Sequence, residues 1–67
     1  MKTTTINEII AWAEGASRLA VMLNVDRAAV SQWRRHGRVP PRRAIQIEQL
    51  SLGRFRAVDI AQTAEEE

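Results

Sequence analysis

With 67 residues, 10 Lys and Arg against 8 Asp and Glu, and no cysteine, the chain is predicted to form one small domain of net charge +2. A chain of this length buries only about 60% of its unfolded surface, too little interior for a large catalytic cleft, so we expect a binding protein rather than an enzyme. The absence of cysteine excludes disulfides and thiolate metal sites. The sequence has no apolar run of 18 residues, so it predicts no membrane-spanning helix. We expect no cofactor and a cytoplasmic location.

The positive charge is concentrated in the middle of the chain. Nine of the ten basic residues are arginine, and residues 27–56 contain eight arginines against the single acid Glu48, a local balance of +7. The other acidic residues lie mostly towards the two ends, including Glu8 and Glu14. Such a distribution is typical of a surface that binds a polyanion, although a solvated arginine-rich face has the same composition.

Two amphipathic helices are predicted in the first third of the chain. Thr5 and Glu8 have the spacing of a capping box, and isoleucines at helical spacing follow, which predicts a helix over residues 6–14. A second helix is predicted over residues 16–23, because its apolar residues fall within an arc of about 80°. Those residues are Ala16, Leu19, Ala20 and Leu23.

A short interruption precedes the third predicted helix, residues 27–36. Asn24 tolerates the left-handed conformation that ends a helix, and Asp26 is a good N-cap for the next one. Gly37 is a natural stop. In helical projection Val30 and Trp33 face inwards, whereas the opposite side forms a polar arc of about 140° without acids. The residues of this arc are Arg27, Ala28, Ser31, Gln32 and Arg35.

A fourth helix is predicted from Pro41, which suits a first helical position, to near Gly53. The segment over residues 52–60 is ambiguous between a helix and an extended chain, and we favour a fifth short helix because no Asn-Gly or Asp-Gly turn is present. The predicted fold is therefore an all-α bundle of five short helices. In it, Phe55, Val58 and Ile60 dock on the core and contribute to a dimer contact. The domain is predicted to cover residues 1–62, with residues 63–67 as a frayed acidic tail.

Both tryptophans, Trp12 and Trp33, are interpreted as core residues rather than as stacking platforms for bases. The single histidine, His36, lacks a second imidazole or a thiolate nearby in sequence, so a metal site is not expected.

The sequence from Ala16 to Arg35 resembles the helix-turn-helix repressors of the phage Cro and prophage Cro/YdaS-like type, and the likeness extends more loosely over residues 6–60. It rests on a small residue at Ala20, on the run V-S-Q-W-R-x-x-G-x-V-P from Val30 to Pro40, and on spaced hydrophobic residues. These hydrophobic residues are Leu19, Leu23, Val25, Val30 and Trp33. The family often has glycine at the position of Asn24. Because Cro-like proteins occur with a helical or a β-hairpin C-terminal part, the resemblance leaves an α+β fold as the alternative.

The resemblance implies that the helix over residues 27–36 enters the major groove of duplex DNA. Base contacts are then expected from Arg27, Ala28, Ser31, Gln32 and Arg35, whose groups suit guanine, adenine or the thymine methyl. Phosphate contacts are expected from the start of the second helix and from nearby arginines. These residues are Ser17, Arg34, Arg38, Arg42 and Arg43.

The predicted function is that of a sequence-specific transcriptional regulator, a phage or prophage repressor that binds a palindromic operator as a weak homodimer. The predicted location is the bacterial nucleoid. The alternative is an antitoxin-like component of a toxin–antitoxin operon, with autoregulatory DNA binding and a toxin as a second partner. RNA binding is a weaker hypothesis, because the A-form major groove is too deep and narrow for a packed helix.

Overall fold

Four α-helices make up most of the computed structural model, which describes residues 4–63. They are α1 (Ile6–Ala13), α2 (Ala16–Leu23), α3 (Arg27–His36) and α4 (Pro41–Leu50). Each lies where the sequence predicts a helix, and within residues 4–63 β-pairing is limited to two isolated bridges. The all-α class is therefore confirmed.

Local signals in the sequence set the limits of the helices. Glu8 N–H donates to Thr5 Oγ1 at 3.3 Å, and Thr5 N–H donates to the Glu8 carboxylate at 3.0 Å, so the predicted capping box is present. Asn24 ends α2 and Gly37 ends α3, both in the left-handed conformation, with φ of 59° and 73°. Asp26 is the N-cap of α3, as predicted, but its side chain makes no capping hydrogen bond.

The core is built around the contact between α2 and α3, the most extensive between any two helices. Leu19, Leu23 and Val30 are completely buried, and Trp33 is buried beside them, as the sequence predicts. Ala20 is also buried, and its small side chain allows the two helices to cross closely. The other helices complete the core through their own buried side chains, such as Ile9 of α1 and Ile47 of α4.

The prediction of a fifth α-helix over residues 52–60 is wrong. The chain forms a left-handed turn at Leu52 and Gly53, and later a single 3-10 turn, Ala57–Asp59. Side chains of the preceding segment explain the difference. They accept hydrogen bonds from backbone N–H groups that would donate to backbone carbonyls in a helix. Phe55 N–H donates to the Ser51 hydroxyl at 3.1 Å, and Ala57 N–H donates to Glu48 Oε1 at 2.7 Å.

Residues 60–63, the last that the structure describes, form an extended C-terminal segment after the 3-10 turn and connect the start of the described chain to the link between α3 and α4. Thr4 N–H donates to the Asp59 carbonyl at 2.8 Å. At the other end, Val39 N–H donates to the Ala61 carbonyl at 2.9 Å, and Thr63 N–H donates to the Val39 carbonyl at 3.1 Å. The pairing is parallel at both places, so residues 4–63 contain no β-hairpin of the alternative α+β fold.

The hydrophobic residues of the C-terminal part have different fates. Phe55 and Ile60 are buried in the core, as predicted, but Val58 is 78% exposed, so its predicted docking on the core is wrong. Val58 lies in the 3-10 turn Ala57–Asp59, where its side chain is left at the surface. Trp12 is half-buried and meets Phe55 edge-to-face, with ring centroids 5.6 Å apart. Of the predicted acidic tail, residues 64–67 lie outside the described residues, as do residues 1–3 of the predicted domain.

We predict that Glu48→Ala lowers the free energy of unfolding by about 1–3 kcal/mol, because the Ala57 N–H loses its acceptor. Glu48→Gln retains an acceptor oxygen and is expected to keep most of the stability. Glu14→Ala is the control, because it removes the same charge as Glu48→Ala. The exposed ion pair between Glu14 and Arg18 is expected to contribute no more than about 1 kcal/mol. Urea denaturation measures all three, and equal losses for Glu48→Ala and Glu14→Ala would contradict the prediction.

Candidate nucleic-acid interface

The structure places all the predicted base contacts on the exposed side of α3. Their side chains are exposed, whereas Val30 and Trp33 are buried and Ala29 is half-buried on the other side of the helix. These exposed residues are Arg27, Ala28, Ser31, Gln32 and Arg35. Because this side carries donors and no carboxylate, it presents a positive, hydrogen-bonding surface.

Two of these residues border a concave part of the surface. A hollow of about 590 Å³ lies beside the turn between α2 and α3. Ala28 and Gln32 line it from α3, and Arg43 lines it from α4. The turn contributes Asn24, Val25 and Asp26, and Ala29 completes the lining. The structure thus brings together two predicted base contacts and one predicted phosphate contact, while Arg27, Ser31 and Arg35 lie outside the lining of this hollow.

The sequence predicts a phosphate contact at the beginning of α2. Ser17 is exposed in its first turn, and the N-cap is Gly15, which makes no side-chain capping bond. The first N–H groups of a helix have no partner within it, and the helix dipole places positive charge there. A phosphate oxygen beside Ser17 would therefore meet both backbone and hydroxyl donors.

Three of the arginines predicted to contact phosphate have exposed side chains at the C-terminal end of α3 and beyond it. Arg34 lies in the last turn of α3, Arg38 follows the left-handed Gly37, and Arg42 lies in the first turn of α4. Val39, next to Arg38, is buried and paired with the C-terminal segment. The connection is thereby anchored on the core while Arg38 remains at the surface.

Arg43 is placed differently from the other predicted phosphate contacts. It is half-buried, and its Nη1 donates to the Leu23 carbonyl at 3.2 Å and to Gln46 Oε1 at 2.9 Å. In helical projection Arg43 lies about 40° from the buried Ile47, a signal in the sequence that it borders the core face of α4.

Other kinds of site find no support in the described residues. Residues 4–63 contain no group of three or more His, Cys, Asp or Glu side chains that could hold a metal ion. Among the same residues, no helix is long and apolar enough to cross a membrane. Arg54, another member of the basic stretch, lies over the Phe55 ring, 5.6 Å from its centroid.

Comparison with protein families identifies the kind of protein that carries this surface. The family model described as the DNA-binding transcriptional regulator Cro matches residues 5–65, nearly the whole chain. The chain belongs to the Cro family. Membership gives DNA as the partner and indicates a non-enzymatic role, and it confirms the resemblance to Cro found in the sequence.

Solved structures agree with the family assignment. The Cro protein from the putative prophage element Xfaso 1 of Xylella fastidiosa strain Ann-1 is 36% identical, with a TM-score of 0.76, and the match covers 82% of this chain and 85% of that one. A solution structure of a hybrid sequence of Xfaso 1 and Pfl 6, two Cro proteins with different folds, is 38% identical, with a TM-score of 0.66. This second match covers 91% of this chain and 89% of the hybrid. Among curated proteins, none matches the chain significantly.

We predict that Gly37→Ala lowers the free energy of unfolding by about 1–2 kcal/mol, because the φ of 73° at the end of α3 is costly for a residue with a Cβ. Crowding by the rest of the protein adds nothing to this cost, since a Cβ at Gly37 would have no neighbour within 4 Å beyond the adjacent residues. Gly37→Asn is the matched variant and is expected to lose less, because asparagine tolerates the left-handed conformation. Thermal unfolding of the two variants tests this order, and the reverse order would contradict it.

Proposed function

We propose that this member of the Cro family is a repressor that binds a palindromic operator as a weak homodimer, with α3 in the major groove of each half-site. The observation that carries the proposal is the exposed, acid-free side of α3, held in place by the buried side chains of Val30 and Trp33. An α-helix fits the major groove, and the N-terminal part of the second helix reads bases in helix-turn-helix proteins. Bound across a promoter, such a dimer would block access of the polymerase.

The proposed base contacts follow from the chemistry of the exposed side chains. Arg27 would donate to O6 and N7 of guanine, and Gln32 would pair with N6 and N7 of adenine. Ser31 would bond to either kind of base, and the methyl group of Ala28 would contact thymine. Arg35, two turns after Arg27, would contact a base or a phosphate further along the groove.

The proposed phosphate contacts surround α3 and fix its register on the duplex. Ser17 and the first N–H groups of α2 would hold one phosphate. Arg34, Arg38 and Arg42 would neutralise others, as exposed side chains in a stretch of local charge +7. Binding is therefore expected to weaken with salt, with a slope of about −0.9 per phosphate neutralised. Arg43, which is half-buried and bonded to the Leu23 carbonyl, is not one of these exposed side chains.

Exposed apolar side chains support the proposed dimer. Leu52 is 94% exposed and Val58 is 78% exposed, and Ile45 and Leu50 of α4 are also exposed. These four residues all belong to the C-terminal third of the chain, and none of them is part of α2 or α3. A second copy that covers part of this set would leave α3 of both copies free to bind DNA. A small contact of this kind gives a weak dimer, which binding to two half-sites stabilises.

A DNA-binding regulator acts where the chromosome lies, so the nucleoid is the proposed location. The toxin–antitoxin alternative stays a prediction from the sequence.

We predict that Arg27→Ala lowers the affinity for the operator by about 1–3 kcal/mol and relaxes one base preference, because a base contact discriminates between sequences. Arg38→Ala is expected to weaken binding to all sequences alike and to lower the salt slope by about one, because a phosphate contact carries no sequence information. Fluorescence anisotropy with operator and random duplexes, over a range of salt concentrations, measures both effects. If both variants lose affinity equally on the two kinds of duplex, the role proposed for Arg27 is wrong.

Selection of binding sites from random duplexes is expected to yield a two-fold symmetric consensus, with half-site centres about 10 base pairs apart. Leu52→Ser should weaken binding to the full site while leaving binding to a single half-site unchanged. Val21→Ser is its control, because Val21 is equally apolar and 79% exposed but belongs to α2. An asymmetric consensus would contradict the dimer, and failure to enrich any sequence would contradict sequence-specific binding.

A further inference from the structure

Arg43 differs from every other arginine of the chain in its surroundings. All nine arginines lie within the described residues, and Arg43 alone is not exposed. Its guanidinium points towards the body of the protein, where Nη1 donates to the Leu23 carbonyl at 3.2 Å and to Gln46 Oε1 at 2.9 Å. The second bond comes from the same helix, three residues away, and fixes the direction of the side chain.

The acceptor on α2 lies at a critical point of the helix-turn-helix. Leu23 is the last residue of α2, and the last carbonyls of a helix have no donor within it. Val25 N–H donates to the Ala20 carbonyl, one turn earlier, at 2.9 Å. The Leu23 carbonyl accepts its hydrogen bond from the guanidinium of Arg43 instead. The negative end of the helix dipole also favours a cation there.

The hydrogen bond between Arg43 and the Leu23 carbonyl joins the chain segments on either side of α3, the recognition helix. The two residues are 20 positions apart, and the whole of α3 lies in the loop that their bond closes. The same side chain lines the hollow that Ala28 and Gln32 border. Loss of this hydrogen bond, the anchor, would therefore change the orientation of α3 after the turn. The side chains of Ala28 and Gln32 would then shift relative to the bases.

We propose that Arg43 is a positioning residue that sets the sequence specificity of α3, by tying the first turn of α4 to the last turn of α2. The inference rests on the proposed function, since it concerns how the recognition helix is aimed at DNA. The requirement is for a guanidinium rather than for a positive charge. Arginine presents donors in a rigid fork, whereas the lysine ammonium is a compact point charge that does not reproduce their geometry.

Two variants separate positioning from phosphate neutralisation. R43K keeps the charge and loses the fork, and R43M keeps the length of the side chain and loses both. R42M is the control, because Arg42 is the exposed neighbour in the same turn of α4. Dissociation constants are measured for a duplex obtained by selection and for a random duplex, over a series of salt concentrations.

We expect R43K to lower the ratio of specific to random affinity by roughly tenfold, the scale of one charge-assisted hydrogen bond, with random binding and salt slope unchanged. R43M should lose the same ratio. R42M should weaken both duplexes alike and lower the salt slope by about one, as a phosphate contact does. Wild-type behaviour of R43K on both duplexes would overturn the proposal, as would equal losses of R43M on both duplexes with a salt slope lower by one.

Amide hydrogen exchange without DNA tests the anchor independently of the proposed function. Exchange at residues 25–29 is expected to be faster in R43K and R43M than in the wild type, and unchanged in R42M. Unchanged exchange in R43K would overturn the anchor, whereas wild-type protein that prefers no sequence would overturn the proposed function alone. If R43M does not fold, Gln46→Leu replaces it, because it removes the second acceptor of Arg43. Gln46→Leu should then accelerate exchange less than R43K does. No acceleration at all in Gln46→Leu would overturn the role given to the hydrogen bond between Arg43 and Gln46.

Discussion

Everything that α3 offers to DNA depends on how closely α2 crosses it at Ala20. The buried side chains on either side of this crossing, Leu19 and Leu23 from α2 and Val30 from α3, form the centre of an interior that has no disulfide to reinforce it. A larger residue at Ala20 would separate the helices and tilt α3. Because the apolar side of α3 is filled by this contact, its arginine, serine and glutamine side chains are left at the surface.

The distribution of acidic groups supports the same division between interior and surface. Glu48, the only acid in the basic stretch of residues 27–56, is a half-buried residue whose carboxylate accepts the Ala57 N–H. The one negative charge of this stretch thus holds the C-terminal turn against α4 instead of facing the solvent beside the arginines. The small net charge of the chain hides this separation, which places cations where a polyanion would bind.

The four helices could be predicted from the sequence because their signals are local: a capping box at Thr5, a left-handed residue at Asn24 and a proline at the start of α4. The exposed side of α3 followed from periodicity for the same reason. The conformation of the C-terminal part could not be predicted, because it depends on the Ser51 hydroxyl and the Glu48 carboxylate accepting backbone N–H groups, a choice that no helical or strand period encodes. The role inferred for Arg43 was equally hidden, since its acceptor on α2 is a backbone carbonyl, which no residue pattern reveals.

The pairing of Thr4 with Ile60 has a consequence for the order of folding. These residues lie near opposite ends of the described chain, so their bridge closes a loop that includes all four helices. Contacts between neighbouring helices close much shorter loops and cost less chain entropy, and they are therefore expected to form first. The C-terminal segment then docks last, onto a helix-turn-helix that is already assembled. Its release is expected to be the first step of unfolding, one that leaves the contact between α2 and α3 intact.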